Sequence, residues 1–176
     1  MWLCDSLPKD MPTARVMIYG YESGLQRSNS FAHLSDLAGS LRIAIMRLLR
    51  SGKKRPLILI GHSLGGLLIK EALIQILESE SGSDVIALLA GILFFGVPND
   101  GMDIESLIPM VGDQPNRSLL ESLSAMNTQI LGLQRRHFSR ILSRGNLEMF
   151  CFFETELSPT AAQVSLFCDS ILRGLY

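Results

Sequence analysis

The sequence predicts an α/β fold with a mostly parallel, doubly wound sheet. Three short apolar runs, at 57–60, 88–97 and 147–153, are typical of strands, and stretches with helical spacing separate them. The run at 57–60 is wholly apolar, which favours a parallel strand buried on both faces. Strands that alternate with helices form βαβ units, and these units build a parallel sheet.

The other predicted elements follow from hydrophobic periodicity. Helical spacing of the apolar residues indicates an amphipathic helix at 31–50, whose inward positions are Leu34, Leu37, Leu41, Ile45, Leu48 and Leu49. The remaining elements are a first strand at 15–21, a helix from 64 to about 78, a Ser/Gly loop at 79–83, two or three helices at 102–144 broken around 112–116, and a helix-like or irregular tail at 161–175.

Composition excludes several classes of function. The chain has 176 residues, one domain's worth, and 16 Lys+Arg against 17 Asp+Glu leave a net charge of −1. This balance argues against nucleic acid or an anionic membrane as a partner. The longest apolar run, at 85–98, is too short to cross a bilayer.

The cysteines and the motif content argue against metals and cofactors. Cys4, Cys151 and Cys168 are odd in number and lack C-x-x-C spacing, so neither a disulfide framework nor a zinc site is expected. A reducing, intracellular setting is therefore the default. No dinucleotide, P-loop or metalloprotease pattern occurs in full, so we expect no cofactor.

The most informative motif is Gly61-His62-Ser63-Leu64-Gly65, which fits the G-x-S-x-G nucleophile elbow. A strand precedes it and an amphipathic helix follows it, which is the context that an elbow requires. Glycines allow a sharp turn, so the Ser63 hydroxyl would stand at a helix N-terminus, where the Leu64 N–H meets a developing oxyanion. We predict a positive φ at Ser63. The alternative is a Gly-Ser turn in another α/β unit.

Three segments together resemble one family. Gly-His-Ser-Leu-Gly-Gly at 61–66, Gly-Ile-Leu-Phe-Phe-Gly-Val-Pro at 91–98 and Phe-Phe-Glu-Thr at 152–155 occur in this order. They resemble the lipase-like α/β-hydrolases of the serine-active-site-containing type, which are DUF676-like and common in fungi at the N-terminus of larger proteins. The likeness covers about residues 2–160 and leaves a divergent tail at 161–176.

The resemblance implies a function and a setting. It implies a single, partial α/β-hydrolase domain over 1–176 that acts on a lipid or acyl ester. The larger proteins of the family carry further modules, so regulatory modules within the same full-length protein are implied as partners. A cytoplasmic location is expected, and the family implies mitochondrial or endoplasmic-reticulum association as alternatives.

The resemblance also implies missing parts. In the family, a strand ending in a His-Gly loop precedes the segment that starts at Trp2, and this loop supplies the second oxyanion donor. The strand lies between those expected at 15–21 and 57–60, so the sheet should be incomplete and the chain truncated at both ends. Either these two strands pair directly, or unpaired backbone groups make the chain poorly stable.

The catalytic base is not identified by the sequence. Hydrolases of this fold run serine, acid, histidine along the chain, and no histidine follows His137. We interpret His62 as a structural neighbour of the nucleophile, His33 as a surface or capping residue and His137 as solvated. A serine without a general base is a weak nucleophile.

The resemblance favours Glu154 as the acid, at the carboxyl end of the strand at 147–153, where parallel sheets gather functional groups. Asp100 and Asp103 are rivals after the preceding strand. Asp100 is more simply a turn residue and Asp103 a charge at a helix N-terminus, while Glu154 could equally be a salt-bridge partner.

Two functional classes therefore remain open. The first is a serine hydrolase with Ser63 as nucleophile, Leu64 N–H in the oxyanion hole and Glu154 as acid. The second is a non-catalytic interaction or signalling module. Because the base and one donor are not found, we expect the chain to react slowly or not at all with a fluorophosphonate probe.

Overall fold

The computed structural model describes residues 2–22, 32–50, 55–105, 107–126, 128–143 and 147–153. Within these ranges, short helices and three strands alternate with three longer helices. In chain order they are α1 (Trp2–Asp5), α2 (Leu7–Asp10), α3 (Leu34–Arg50), β1 (Leu57–His62), α4 (Leu64–Leu77), α5 (Gly82–Ile86), β2 (Leu89–Phe95), α6 (Ile108–Val111), α7 (Arg117–Ser122), α8 (Thr128–Leu142) and β3 (Glu148–Phe152).

The sheet has the order β1-β2-β3, and both pairings are parallel. His62, Phe95 and Phe152 lie in register across it, so all three strands end at one edge. The predicted α/β class with a parallel sheet is confirmed. Three strands flanked by helices are consistent with an incomplete α/β fold.

Helix α4 lies at the centre of the core. It packs against α3, α8, α5 and β1. Leu67, Leu73 and Ile76 have no exposed surface, and full burial of such a side chain stabilises a fold by roughly 1.5–3 kcal/mol. Because α4 is enclosed on several sides, its position is strongly determined, and so is that of the turn before it.

Helix α3 begins close to the predicted start. The backbone N–H of His33 donates to Asp36 Oδ2 at 2.9 Å, and the His33 carbonyl accepts from the Asp36 and Leu37 amides. This is one half of a capping box, in which the third helical residue bonds back to the capping residue. The apolar stripe of α3 then faces α4.

The first predicted strand is wrong. Residues 14–22 form no strand, and Ile18 is 82% exposed. No backbone hydrogen bond joins this segment to β1 among the described residues, so the direct pairing considered from the sequence is not made. A β-branched, aromatic segment has strand propensity, but a strand also needs a neighbour. The short helices α1, α2 and α5 were not predicted either.

The prediction that β1 is buried on both faces is also wrong. Ile58 and Ile60 are each 49% exposed, and Phe150 on β3 is 53% exposed on the same face of the sheet. Helices α4 and α8 cover the opposite face, where Phe94 contacts Phe138. Wholly apolar runs do not by themselves report whether a second layer of helices is present.

The cysteines differ in state. Cys4 is free and exposed, whereas Cys151 on β3 is disulfide-bonded. The expectation of no disulfide therefore fails at Cys151, because spacing along the chain does not reveal which cysteines meet in space. Glu154 and the tail at 161–175 lie outside the described residues.

Candidate active site

The turn between β1 and α4 has the predicted geometry. Ser63 directly follows β1, precedes Leu64 at the start of α4, and has φ 49° and ψ −125°. Among the described residues it is the single non-glycine residue with a positive φ. Such a conformation is strained for a serine and persists where the surrounding structure imposes it. The backbone prediction for Ser63 is confirmed, while its chemical role stays a prediction.

Two glycines allow β1 and α4 to approach closely enough for this turn. A Cβ on Gly61 would lie 2.8 Å from the Gly66 Cα. A Cβ on Gly66 would lie 2.1 Å from Val97 Cγ2, in the loop that follows β2. Side chains at these positions would therefore force the strand, the helix and the loop apart.

Backbone hydrogen bonds stabilise the turn but leave the N-terminal end of α4 uncapped. The Ser63 N–H donates to the Phe95 carbonyl at 2.9 Å, and the Gly66 N–H donates to the Ser63 carbonyl at 3.0 Å. The Ser63 side chain does not cap α4. The first amides of the helix, including that of Leu64, therefore stay available for a negatively charged group.

None of the three histidines forms a described hydrogen bond with Ser63. The His62 side chain is exposed at the end of β1, and the exposed His33 caps α3 through its backbone. His137 lies on α8 and is half-buried, less solvated than the sequence suggested. Among the described residues, therefore, no histidine is hydrogen-bonded to the serine as a general base would be.

Each of the two rival acids, Asp100 and Asp103, already has a partner for its carboxylate. Asp100 lies in a turn after β2, and its Oδ1 forms an ion pair with Arg135 Nη2 on α8 at 2.7 Å. Asp103 is exposed, and its Oδ1 accepts the Glu105 N–H at 2.9 Å in a tight local turn. The turn interpretation of Asp100 is confirmed. Asp103 does not lie at a helix N-terminus, so its interpretation as a helix N-terminal charge is wrong.

A buried lysine lies next to the loop that follows β2, and none of the sequence motifs points to it. Lys70 on α4 is only 4% exposed, donates to Asn99 Oδ1, and lies 5.1 Å and 5.4 Å from the ring centroids of Phe94 and Phe138. Burial lowers the pKa of Lys70 to about 8, the nearby Asp100 raises it, and Arg135 lowers it.

The signal for Lys70 was present in the sequence. The residues three and four positions from Lys70 along the helix are Gly66, Leu67, Leu73 and Ile74, so Lys70 lies on the apolar face of α4. Its contacts with Asn99 and the aromatic rings tie α4 to the loop after β2 and to α8. Lys70 thus helps to fix the position of α4, which begins directly after the elbow.

Other kinds of site find no support in the described part of the chain. No group of three or more His, Cys, Asp or Glu side chains there could hold a metal ion. Across the same residues, none of the helices has the length and apolar character needed to traverse a bilayer.

The parallel sheet with its flanking helices and the strained turn at Ser63 define an α/β domain with a strand–turn–helix elbow. Comparison with known proteins identifies one group of relatives. The chain is 33% identical over 105 residues to protein SERAC1 of Danio rerio, 31% over 103 residues to protein SERAC1 of Homo sapiens, and 30% over 109 residues to that of Mus musculus.

Each of these matches covers 57% of the chain and 16% of the relative, so the chain spans only a small part of the length of these proteins. No family model matches the chain, and no solved structure matches it.

Proposed function

We propose that this chain is a serine hydrolase domain of the lipase or esterase type, with Ser63 as the nucleophile. The observation that carries the proposal is the strained positive φ of Ser63 between β1 and α4. Backbone strain of this kind costs about 1–3 kcal/mol and is concentrated at functional sites, such as the turn that places a nucleophilic serine at a helix N-terminus. The likeness to SERAC1 proteins supports the same class.

The reaction is acyl transfer. Ser63 Oγ attacks the ester carbonyl carbon, a C–O bond forms, and the carbonyl π electrons move onto the oxygen, which accepts the Leu64 N–H. The intermediate collapses with expulsion of the alcohol, which takes up a proton equivalent to the one that the serine released. Water then hydrolyses the acyl-enzyme. Since no described histidine bonds to Ser63, solvent accepts the serine proton and the reaction is slow.

The surface beside Ser63 favours an apolar acyl group. The rings of Phe95 and Phe152 stack at 4.6 Å, and both residues lie in register with His62, which directly precedes the nucleophile. Phe152 is 49% exposed. Exposed aromatic surface next to a nucleophile suits a lipid or another acyl ester better than a charged substrate.

Glu154 is the proposed acid. It lies two positions after Phe152, the last residue of β3. Phe152 pairs with Phe95 of β2, and His62, the last residue of β1, pairs with Phe95 from the other side. The strands that precede Ser63 and Glu154 therefore end at the same edge, two strand spacings or roughly 10 Å apart. Asp100 is less suited, because Arg135 already engages its carboxylate.

A specific observation favours a second candidate, a non-catalytic interaction module. Ile58, Ile60 and Phe150 expose about half of their surface on one face of the sheet. An apolar face of this kind is typical of a contact with another domain or partner. In this alternative the elbow is retained as a structural turn.

Fluorophosphonate labelling separates the two candidates. We expect slow incorporation of the probe into the wild-type chain, complete loss in Ser63→Ala, and unchanged labelling in Ser139→Ala. Ser139 is a fair control, because it lies on the exposed side of α8 and its hydroxyl donates to the Arg136 carbonyl. Equal labelling of Ser63→Ala, or none in a folded wild-type chain after prolonged exposure, would refute the hydrolase proposal and leave the interaction module.

A further inference from the structure

The side chain of Tyr21 reaches the start of α4 from the irregular segment at 14–22. Its hydroxyl oxygen lies 3.4 Å from the point where a Cβ on Gly65 would stand. The ring is partly buried and packs against the core. Gly65 is the second residue of α4 and lies two positions after Ser63. Tyr21 is therefore next to the elbow, although 42 residues separate it from the serine in the sequence.

The contact with Gly65 places this hydroxyl beside the first turn of α4. In an α-helix each Cα–Cβ bond is tilted toward the N-terminus of the helix, so a group close to the Cβ position of Gly65 is near the end of α4 that carries the Leu64 amide. No hydrogen bond of the Tyr21 hydroxyl is seen among the described residues, so the phenol can donate one to a bound oxygen.

We propose, on the basis of the function proposed above, that the Tyr21 hydroxyl is the second donor of the oxyanion hole, alongside the Leu64 N–H. Acyl transfer needs donors aimed at the oxygen on which charge develops, and these come from two separate segments of the chain. The segment ending at Tyr21 would supply the second donor.

Three features of the surroundings agree with this role. Burial raises the pKa of Tyr21, which keeps the phenol protonated and able to donate at neutral pH. The helix dipole of α4 adds positive potential at the same end and stabilises an anionic oxygen. Gly65 fits as well, because any side chain longer than a methyl group at that position would push the phenol away.

The test compares rates of fluorophosphonate labelling for the full chain and for Tyr21→Phe. This substitution removes one oxygen and keeps the packed ring. We expect the labelling rate of Tyr21→Phe to fall by about 10- to 100-fold, since loss of one oxyanion donor costs up to about 100- to 1,000-fold in complete sites. Tyr19→Phe is the matched control, because Tyr19 stacks on Tyr21 at 6.3 Å but is more exposed.

A spectroscopic readout complements the rate. In the chain labelled with ¹³C at the tyrosine Cζ, the Tyr21 signal should shift when Ser63 carries the phosphonyl group, because the phosphonyl oxygen then accepts a hydrogen bond from the phenol O–H. The Tyr19 signal should not move. This shift would not result from a purely structural role of the Tyr21 ring.

The outcomes distinguish this inference from the hydrolase proposal. Wild-type labelling rate in a folded Tyr21→Phe, together with no labelling of Ser63→Ala, would overturn the role of Tyr21 and leave Ser63 as the nucleophile. Labelling that persists in Ser63→Ala, or the absence of any labelling in the wild-type chain, would overturn both.

Discussion

The buried ammonium of Lys70 makes the stability of this protein depend on pH in a defined direction. Lys70 is 4% exposed, and burial is the largest cause of its lowered pKa, about 8 against the ordinary 10.5. Lys70→Met is the informative substitution, because methionine is unbranched and of similar length. It fills the space between Phe94 and Phe138 without carrying a charge.

The magnitude follows from the two pKa values. Their difference corresponds to about 3 kcal/mol by which the folded state disfavours the charged lysine. Between pH 8 and 10.5 the unfolded chain binds more protons at this position than the folded chain does. The contribution of Lys70 to the free energy of unfolding therefore rises as the pH rises through this window, and it is least favourable below pH 8.

Urea unfolding followed by far-UV circular dichroism measures this effect. The difference in unfolding free energy between wild type and Lys70→Met should change by roughly 2–3 kcal/mol between about pH 7 and about pH 10, in favour of wild type. The same comparison with Lys9→Met, an exposed lysine on α2, controls for the titration of other groups. A difference that is independent of pH for Lys70→Met would show that its ammonium is not desolvated, and the packing argument would fail.

Three further substitutions test the elbow and its supports. Gly66→Ala should destabilise the chain by about 1–3 kcal/mol in urea unfolding, because the new Cβ would lie 2.1 Å from Val97 Cγ2; no interaction energy with Val97→Ala in a double-mutant cycle would contradict this. Asp36→Ala should cost about 1 kcal/mol through loss of the α3 cap, and an unchanged unfolding midpoint would count against the cap. Asp100→Asn should lower the pKa of Lys70 further, because Asp100 raises it. An NMR titration that gives the same Lys70 pKa in both chains would show that the Asp100 carboxylate does not affect it.

Much of the candidate site could be predicted from local sequence. The motif at 61–65, the apolar run before it and the helical stripe after it located the turn and the sign of φ at Ser63. These predictions succeeded because strand, glycine turn and helix are each specified by neighbouring residues. Glu154 and the catalytic roles of Ser63 and Leu64 stay predictions.

The failures share a cause. The segment at 15–21 has the residues of a strand, yet it forms none, because strand formation depends on a partner whose presence the segment itself does not encode. The predicted burial of Ile58 and Ile60 failed for the same reason, since an apolar run does not reveal whether a layer of helices covers its second face. Local propensity is a weak guide wherever the stabilising contact is distant.

By itself, the sequence determined the α/β class, the order of the main strands and helices, and the backbone of the turn at Ser63, because each depends on hydrophobic periodicity or on the freedom of nearby glycines. Only the tertiary structure decided that Tyr21 meets Gly65, that Lys70 is enclosed by Phe94 and Phe138, and that Asp100 pairs with Arg135. These contacts join residues far apart in the chain, and packing, which minimises exposed apolar surface and unpaired charge, selects them only when the elements come together.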